Sequence, residues 1–314
     1  MIDAQPHPAT SSASDACQAG SGHERADQQA MWQIMSVDEY AAFEKSKGVS
    51  VTCVGGMWWR SVRSFFYRPL IPFVELAPNT MRYPLLHVIG GVQHGVADGQ
   101  ANNSTLNYFI YDQLQDYAVK SLPKDLRWHI KRGLKNFTIR PIIDEAEFIE
   151  QAYPCYLSFY KRTQYAHRAD RRQQRRFTQW ARNLFRFPKT LKLGAYQDGK
   201  LAAVLVSCFV ENDIHLSTYF SDTAYLKLSI SDALFHAVRE LAAMTTAEHI
   251  FVGWHSGIKG LDEFKVLRGC KLIEKPAYFK INGLALYLLK HFRSSEYQKL
   301  VGFSCGTFPA QRAG

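Results

Sequence analysis

Between Leu191 and Phe220 three apolar runs are separated by two short polar interruptions, and few folds accommodate that pattern. The runs are Leu191 to Tyr196, Leu201 to Phe209 and Ile214 to Phe220, and the interruptions are Asp198-Gly199 and Glu211-Asn212-Asp213. An Asp-Gly pair reverses the chain tightly enough for the flanking strands to pair directly. The segment therefore predicts a three-stranded antiparallel meander.

What surrounds the meander narrows the fold further. Upstream, Thr138 to Ile142 reads as a strand. The next stretch, Glu145 to Tyr165, places Phe148, Ile149, Tyr153, Tyr156, Leu157 and Tyr160 on one broad helical face. A basic helix from about Arg172 to Leu184 follows, ended by Pro188. Downstream, Ser229 or Ser231 can cap an amphipathic helix reaching about Met244, with Ala233, Leu234, Ala237, Val238 and Leu241 turned inward. A short strand, His249 to Gly253, leads into the loop Trp254 to Gly260. A short helix from Leu261 to Arg268 stops at Gly269, and Lys271 to Glu274 and Ala277 to Ile281 read as two closing strands.

The first part of the chain has a different texture. Residues 1 to 29 are dominated by Ala, Ser, Gln, Asp, His and Gly without apolar periodicity, which predicts a disordered leader. It lacks the basic start and apolar core of a secretory signal, and no apolar run approaches membrane-spanning length, so a cytoplasmic location is expected. A helix is expected from Met31 to Lys45, where Ser36 can cap. Short runs at Val51 to Val54, Met57 to Phe66, Ile71 to Leu76 and Leu85 to Gly90, rich in β-branched and aromatic residues, predict a small sheet with long loops. Leu106 to Leu114 is strand-like, and Pro123 opens a basic helix from about Lys124 to Lys135.

Composition bounds the chemistry. The 314-residue chain carries six cysteines, all single and without the paired spacing that offers two thiolates to zinc, so no metal is predicted and no cysteine is given a role. The net charge is +10. Much of the excess sits in Lys124 to Lys135 and Lys161 to Arg186, surfaces that attract polyanions such as the phosphates of coenzyme A, a transfer RNA, an anionic lipid face or a nucleotide-linked sugar. A solvated helix face explains such runs equally well.

The order strand, helix, helix, meander, helix, strand, helix, strands resembles the GNAT superfamily, and most closely its FemAB-like branch. In that branch two GNAT-like halves are joined by a basic helix, and the second half ends in a glycine, a leucine, a Phe-Lys pair and another glycine. Those stand here as Gly260-Leu261-Asp262-Glu263-Phe264-Lys265 and then Gly269, while Leu126-Arg127-Trp128-His129-Ile130-Lys131-Arg132-Gly133-Leu134-Lys135 resembles the linker. The resemblance covers Leu106 to Ile281 well and the first hundred residues loosely. It implies an α/β chain with a GNAT fold, organised as a reduced N-terminal half (31–122), a linker helix (123–136), a C-terminal GNAT domain (137–282) and a C-terminal helix and tail (283–314).

It also implies N-acyl transfer, from an acyl-CoA or an aminoacyl-tRNA, to an amine of an envelope or polysaccharide precursor. In one respect the chain departs from its relatives. Where typical GNAT enzymes hold the coenzyme A pyrophosphate on a glycine-rich loop, this sequence has Ser221-Asp222-Thr223-Ala224-Tyr225-Leu226-Lys227-Leu228. A phosphate would then rest on the following helix N-terminus, with Lys227, Ser229 and Ser231 as its ligands.

Transfer to an amine needs a base, an oxyanion site and a proton donor for the leaving group. The resemblance places the oxyanion amide near Thr218 to Phe220, makes Tyr219 a donor of a proton or an orienting group, and gives Lys265 the task of neutralising phosphate or developing charge. His255, just past the short strand, is the preferred base; His215 and Glu263 are weaker candidates. The segment Leu284 to Phe292 is expected to dock on the domain or to touch a membrane surface. The competing reading is a non-catalytic binding or scaffold protein on a decayed GNAT fold.

Overall fold

The computed structural model of the chain describes residues 32–164, 168–292, 294 and 297; the expected leader lies outside them. The strands are β1 (Ile34–Met35), β2 (Val51–Val54), β3 (Met57–Arg63), β4 (Phe66–Pro69), β5 (Gly91–Gly95), β6 (Ser104–Tyr111), β7 (Thr138–Pro141), β8 (Thr190–Gln197), β9 (Lys200–Val210), β10 (Asp213–Ser221), β11 (His249–Trp254) and β12 (Lys271–Ile281). The helices are α1 (Val37–Ser46), α2 (Lys124–Asn136), α3 (Glu145–Thr163), α4 (Gln174–Phe185), α5 (Ile230–Ala243), α6 (Lys259–Val266) and α7 (Gly283–Phe292).

The expected meander is β8-β9-β10. Asp198 and Gly199 both take positive φ, 49° and 77°, the conformation that a two-residue reversal between right-twisting strands demands. All strands belong to one sheet in the order β2-β3-β4-β5-β12-β6-β11-β10-β9-β8-β7, with β1 pairing alongside β9. The segment around residues 271–281 forms one long strand rather than two, and it joins the sheet's halves by pairing β6 on one side and β5 on the other. β10 and β11 run parallel, as a helical crossover through α5 requires. This succession is the GNAT fold.

Alternate residues of β9 feed two cores. Ala203, Leu205 and Phe209 pack under α5 with Leu234, Phe235 and Val238. Val204, Val206, Cys208 and Val210 pack on the opposite side under α1, α3 and α4, against Phe43, Phe148, Phe177 and Trp180. The two core sides are called the α5 side and the α1 side below.

Several elements of the first part differ from expectation. Ser36 does cap α1, in a capping box with Glu39, but the helix begins only at Val37. Residues 71–76 form no strand; only an isolated bridge joins Glu75 to Gly95. Leu85–Val88 is a single 3-10 turn with Leu85 exposed, because no neighbouring strand takes up its backbone. The run after Met57 divides into β3 and β4, turned back on themselves around Phe65 at φ 60°.

α2 packs closely on the first turn of α5. A Cβ on Gly133 would stand 2.6 Å from the Ser229 carbonyl oxygen and 2.8 Å from the Ala233 Cβ, so glycine permits the approach. His129 Nδ1 and Ser229 Oγ are hydrogen-bonded across the same contact, at 2.9 Å.

Candidate active site

β10 and β11 pair only at Asp213, Ile214 and His215, opposite His249, Ile250 and Phe251. Beyond that point β10 runs on to Ser221 bonded to β9 alone, and β11 runs on to Trp254 bonded to β6. Two parallel strands that separate in this way leave alternate amides and carbonyls of the inner strand directed into the gap. A bulge between Leu216 and Thr218 sharpens the divergence, and Gly253 at φ 135° does the same for β11. The stretch expected to supply an oxyanion amide, Thr218 to Phe220, lies along this opening.

Asp262 organises the far wall. It is buried in α6, and its carboxylate accepts from Ser256 N at 3.0 Å, Ser256 Oγ at 2.9 Å and Gly257 N at 2.9 Å. His255 Nε2 lies 3.3 Å from Asp262 Oδ2 and Lys265 Nζ lies 3.6 Å from Oδ1. One carboxylate thus ties the loop after β11 to α6. Sequence reasoning named His255 and Lys265 and passed over Asp262. The available signal was the three-residue spacing from Asp262 to Lys265, which puts both on one helix face.

Lys265 is not on an exposed helix face. Its side chain is buried over the Phe109 ring, 4.5 Å from Nζ to the centroid, and its ammonium donates to the Trp254 carbonyl at 2.7 Å. Burial pushes the ammonium pKa down, and Asp262 opposes the shift. The charge expected to meet a substrate phosphate is therefore committed to the end of β11 and the loop beyond it. Gly253 is the residue beside the ammonium; a Cβ there would be 3.8 Å from Nζ.

Tyr219 points to the α5 side, packed against Phe235 and Phe264 with ring centroids 5.3 and 5.8 Å away. Its hydroxyl shares a hydrogen bond of 2.5 Å with Ser231 Oγ, and burial raises its pKa, so the phenol stays protonated. Phe264 precedes Lys265 in α6, and this ring brings Tyr219 and the Asp262 cluster onto one side of the sheet.

The expected phosphate ligands are arranged otherwise. Ser229 and Ser231 are buried, the first bonded to His129 and the second to Tyr219. Ile230 between them is fully buried, and α2 packs on that turn, so neither serine hydroxyl is presented to a pyrophosphate. Lys227 alone of the three is exposed. The physical reason is Gly133, which lets the linker helix take the space.

On the α1 side, His215 is buried with Nε2 lacking an acceptor or donor, and burial lowers its pKa to about 4, with Glu44 opposing. Glu44, also buried, is paired with Lys47 and lies 3.8 Å from Arg60. Lys47 donates to Ser217 Oγ at 2.9 Å, at the β10 bulge. This charged group bordering the opening had no signature in the sequence, since its members come from α1, β3 and β10. Glu263, by contrast, stands outside the opening, paired with Lys259 at 3.9 Å and half exposed.

By sequence the chain matches no family model and no curated protein. Its structure is similar to that of FemX, at TM-score 0.56 and 10% identity over 85% of this chain and 97% of that one. It is similar to the C-terminal DUF2156 domain of a proposed lysylphosphatidylglycerol synthetase from Agrobacterium fabrum, at TM-score 0.52 and 14% identity over 92% and 99%. A conserved protein of unknown function from Bacteroides thetaiotaomicron gives TM-score 0.51 and 13% identity over 83% and 97%. At such identities the likeness shows a shared fold, the GNAT arrangement in its FemAB-like form.

Proposed function

We propose that this GNAT-fold chain is an acyltransferase that moves an acyl or aminoacyl group onto an amine, with the reaction centred where β10 and β11 separate. The observation that carries the reading is that separation. Within residues 218–220, a backbone amide turned into the gap would receive the carbonyl oxygen, a donor already positioned before charge develops. The amine nitrogen attacks the carbonyl carbon as its C–O or C–S bond to the carrier breaks. His255, oriented by Asp262, takes the proton from the amine, and the Tyr219 phenol supplies one to the leaving group. Lys265 holds the end of β11 and, through Asp262, the His255 loop, in the place where catalysis needs them.

Among donors, an aminoacyl-tRNA fits better than coenzyme A. The α5 N-terminus is buried under α2, while α2 itself presents Lys124, Arg127, Lys131 and Lys135 with Trp128 exposed among them. Cations interleaved with an exposed aromatic suit a nucleic acid. That one structural neighbour is the C-terminal domain of a proposed lysylphosphatidylglycerol synthetase supports an aminoacyl cargo. The acceptor we propose is the amine of an envelope or polysaccharide precursor. A helix with Leu284, Tyr287, Leu288 and Phe292 exposed would give peripheral contact with a membrane. Among the described residues no helix is long and apolar enough to cross one. We retain the division at residues 31–122, 123–136, 137–282 and 283–314 as a functional organisation, with β6 and β12 joining its parts.

The test is single-turnover transfer from radiolabelled aminoacyl-tRNA or acyl-CoA to a library of amine acceptors. Transfer is expected from the aminoacyl ester and to fall about a hundredfold or more in Tyr219→Phe and His255→Ala, typical of losing a proton-transfer group. Absence of transfer from either donor class would replace the enzyme reading with the scaffold one.

A further inference from the structure

Arg68, in β4, is a buried cation without a counterion. Its Nε and Nη2 both donate to Gln93 Oε1, at 2.9 and 2.5 Å, and its Cζ lies 4.6 Å from the centroid of the Trp254 ring. Gln93 Nε2 is anchored in turn on Ser104 Oγ and the Thr105 carbonyl, at 3.3 and 3.2 Å. Among the described residues no carboxylate pairs with this guanidinium, and its other N–H groups meet no protein acceptor. Burial, with the neighbouring charges of Arg60 and Arg63 adding to it, lowers its pKa to about 10.

Arg60 is its direct cross-strand partner. Like charges placed opposite one another in a sheet repel. The Arg60 Nε is also buried without an acceptor, and the nearest acid, Glu44, is shared with Lys47. Arg171, another buried guanidinium among the described residues, is also pushed down to about 10 by burial and Arg168, but Tyr156 and Asp170 favour its charge, whereas no acidic group does so for Arg68. Burying a charge without a partner is costly, and a fold retains such a group where a ligand completes it.

We propose that Arg68, with Arg60 beside it and Trp254 beneath it, receives a phosphate group carried by the acceptor molecule. Lys47, Arg60 and Arg68, with Arg63 also acting on Arg68, leave a cationic excess over the single negative charge of Glu44, which favours a doubly charged phosphate monoester over a carboxylate. The planar fork of an arginine suits phosphate oxygens, and Gln93 presents it already oriented. The site borders the opening between β10 and β11. Trp254 ends β11, and the path from Arg60 through Glu44 and Lys47 reaches Ser217 at the β10 bulge. Only the assignment of this phosphate to the acceptor rests on the transferase reading.

Calorimetric titration of the full chain with inorganic pyrophosphate and with glycerol 3-phosphate, at fixed ionic strength, reads the site without turnover. Vesicles of phosphatidic acid against phosphatidylcholine distinguish a lipid-borne phosphate from a soluble one. Saturable binding is expected, weakened about tenfold or more in Arg68→Met and in Arg68→Lys, which keeps the charge but loses the fork. Without ligand, Arg68→Met is expected to melt at or above the wild-type temperature, because an unpaired buried charge has been removed. Wild-type protein that binds none of these phosphates, or Arg68 variants that bind as well as wild type, would overturn the site. Should Arg68→Met fail to fold, Arg68→Lys still decides. Absence of acyl transfer leaves this result standing, and absence of phosphate binding leaves the transfer assay standing.

Discussion

His215 offers a measurement whose size follows from its surroundings. It sits in β10 with ring contacts to Tyr40, Phe251 and Phe73 at 5.1, 5.7 and 6.5 Å. Burial takes its pKa from 6.5 to about 4, with Glu44 pulling upward and Arg60 and Lys47 pushing further down. The folded chain therefore refuses a proton that the unfolded chain accepts once the pH falls below 6.5. A group with this depressed value contributes stability that is intact at neutral pH and is lost progressively down to the folded pKa. Linkage gives a loss of about 2 kcal/mol between pH 7 and 5, growing to about 3 kcal/mol at pH 4. Burial would raise the Glu44 pKa, but Lys47 and Arg60, with a smaller contribution from His215, hold it below the ordinary carboxylate value and so below this window. In His215→Phe, whose ring fits the same aromatic surroundings, that part of the pH dependence should vanish. Urea unfolding of both proteins at pH 7 and pH 5 measures it. If the two stabilities fall in parallel to within about 0.5 kcal/mol, the buried neutral imidazole is not what the structure says it is.

Other perturbations test the packing and the site. Asp262→Ala strands the Lys265 ammonium and two loop amides, and should cost about 3–5 kcal/mol in chemical unfolding, as breaking a buried charge pair does. Gly133→Ala should lose about 1–3 kcal/mol, although alanine favours a helix by about 1 kcal/mol, because the new Cβ meets the backbone of α5. A stabilised variant would refute that close approach. Burial lowers the Lys192 pKa from 10.5 to about 8, so between those values the unfolded chain holds a proton that the folded one has released. Wild-type stability should therefore rise with pH across that window relative to Lys192→Met, seen as a converging difference in urea midpoints.

How much of this was legible in the sequence depends on distance along the chain. The meander, the α5 helix, the short parallel strand and the α6 helix were readable because apolar periodicity and turn pairs such as Asp198-Gly199 act over a few residues. Together with the Gly260 to Lys265 motif they determined the fold. Residues 71–76 and 85–88 have strand-like composition and are not strands, because composition cannot tell whether a neighbour is there to take the backbone hydrogen bonds. The motif marks Lys265 as a charge for substrate, but only the folded chain encloses it with the Trp254 carbonyl, Asp262 and the Phe109 ring. Gly133, in the sequence only one residue of the linker motif, admits α2 against α5 and so buries the phosphate ligands expected at Ser229 and Ser231. Arg68, Arg60, Glu44 and Lys47 are ordinary surface-type residues in the sequence, drawn from separate elements. Burial in one shared environment is what turns them into a charged site, and burial is a property of the whole fold, so only the tertiary structure could decide it.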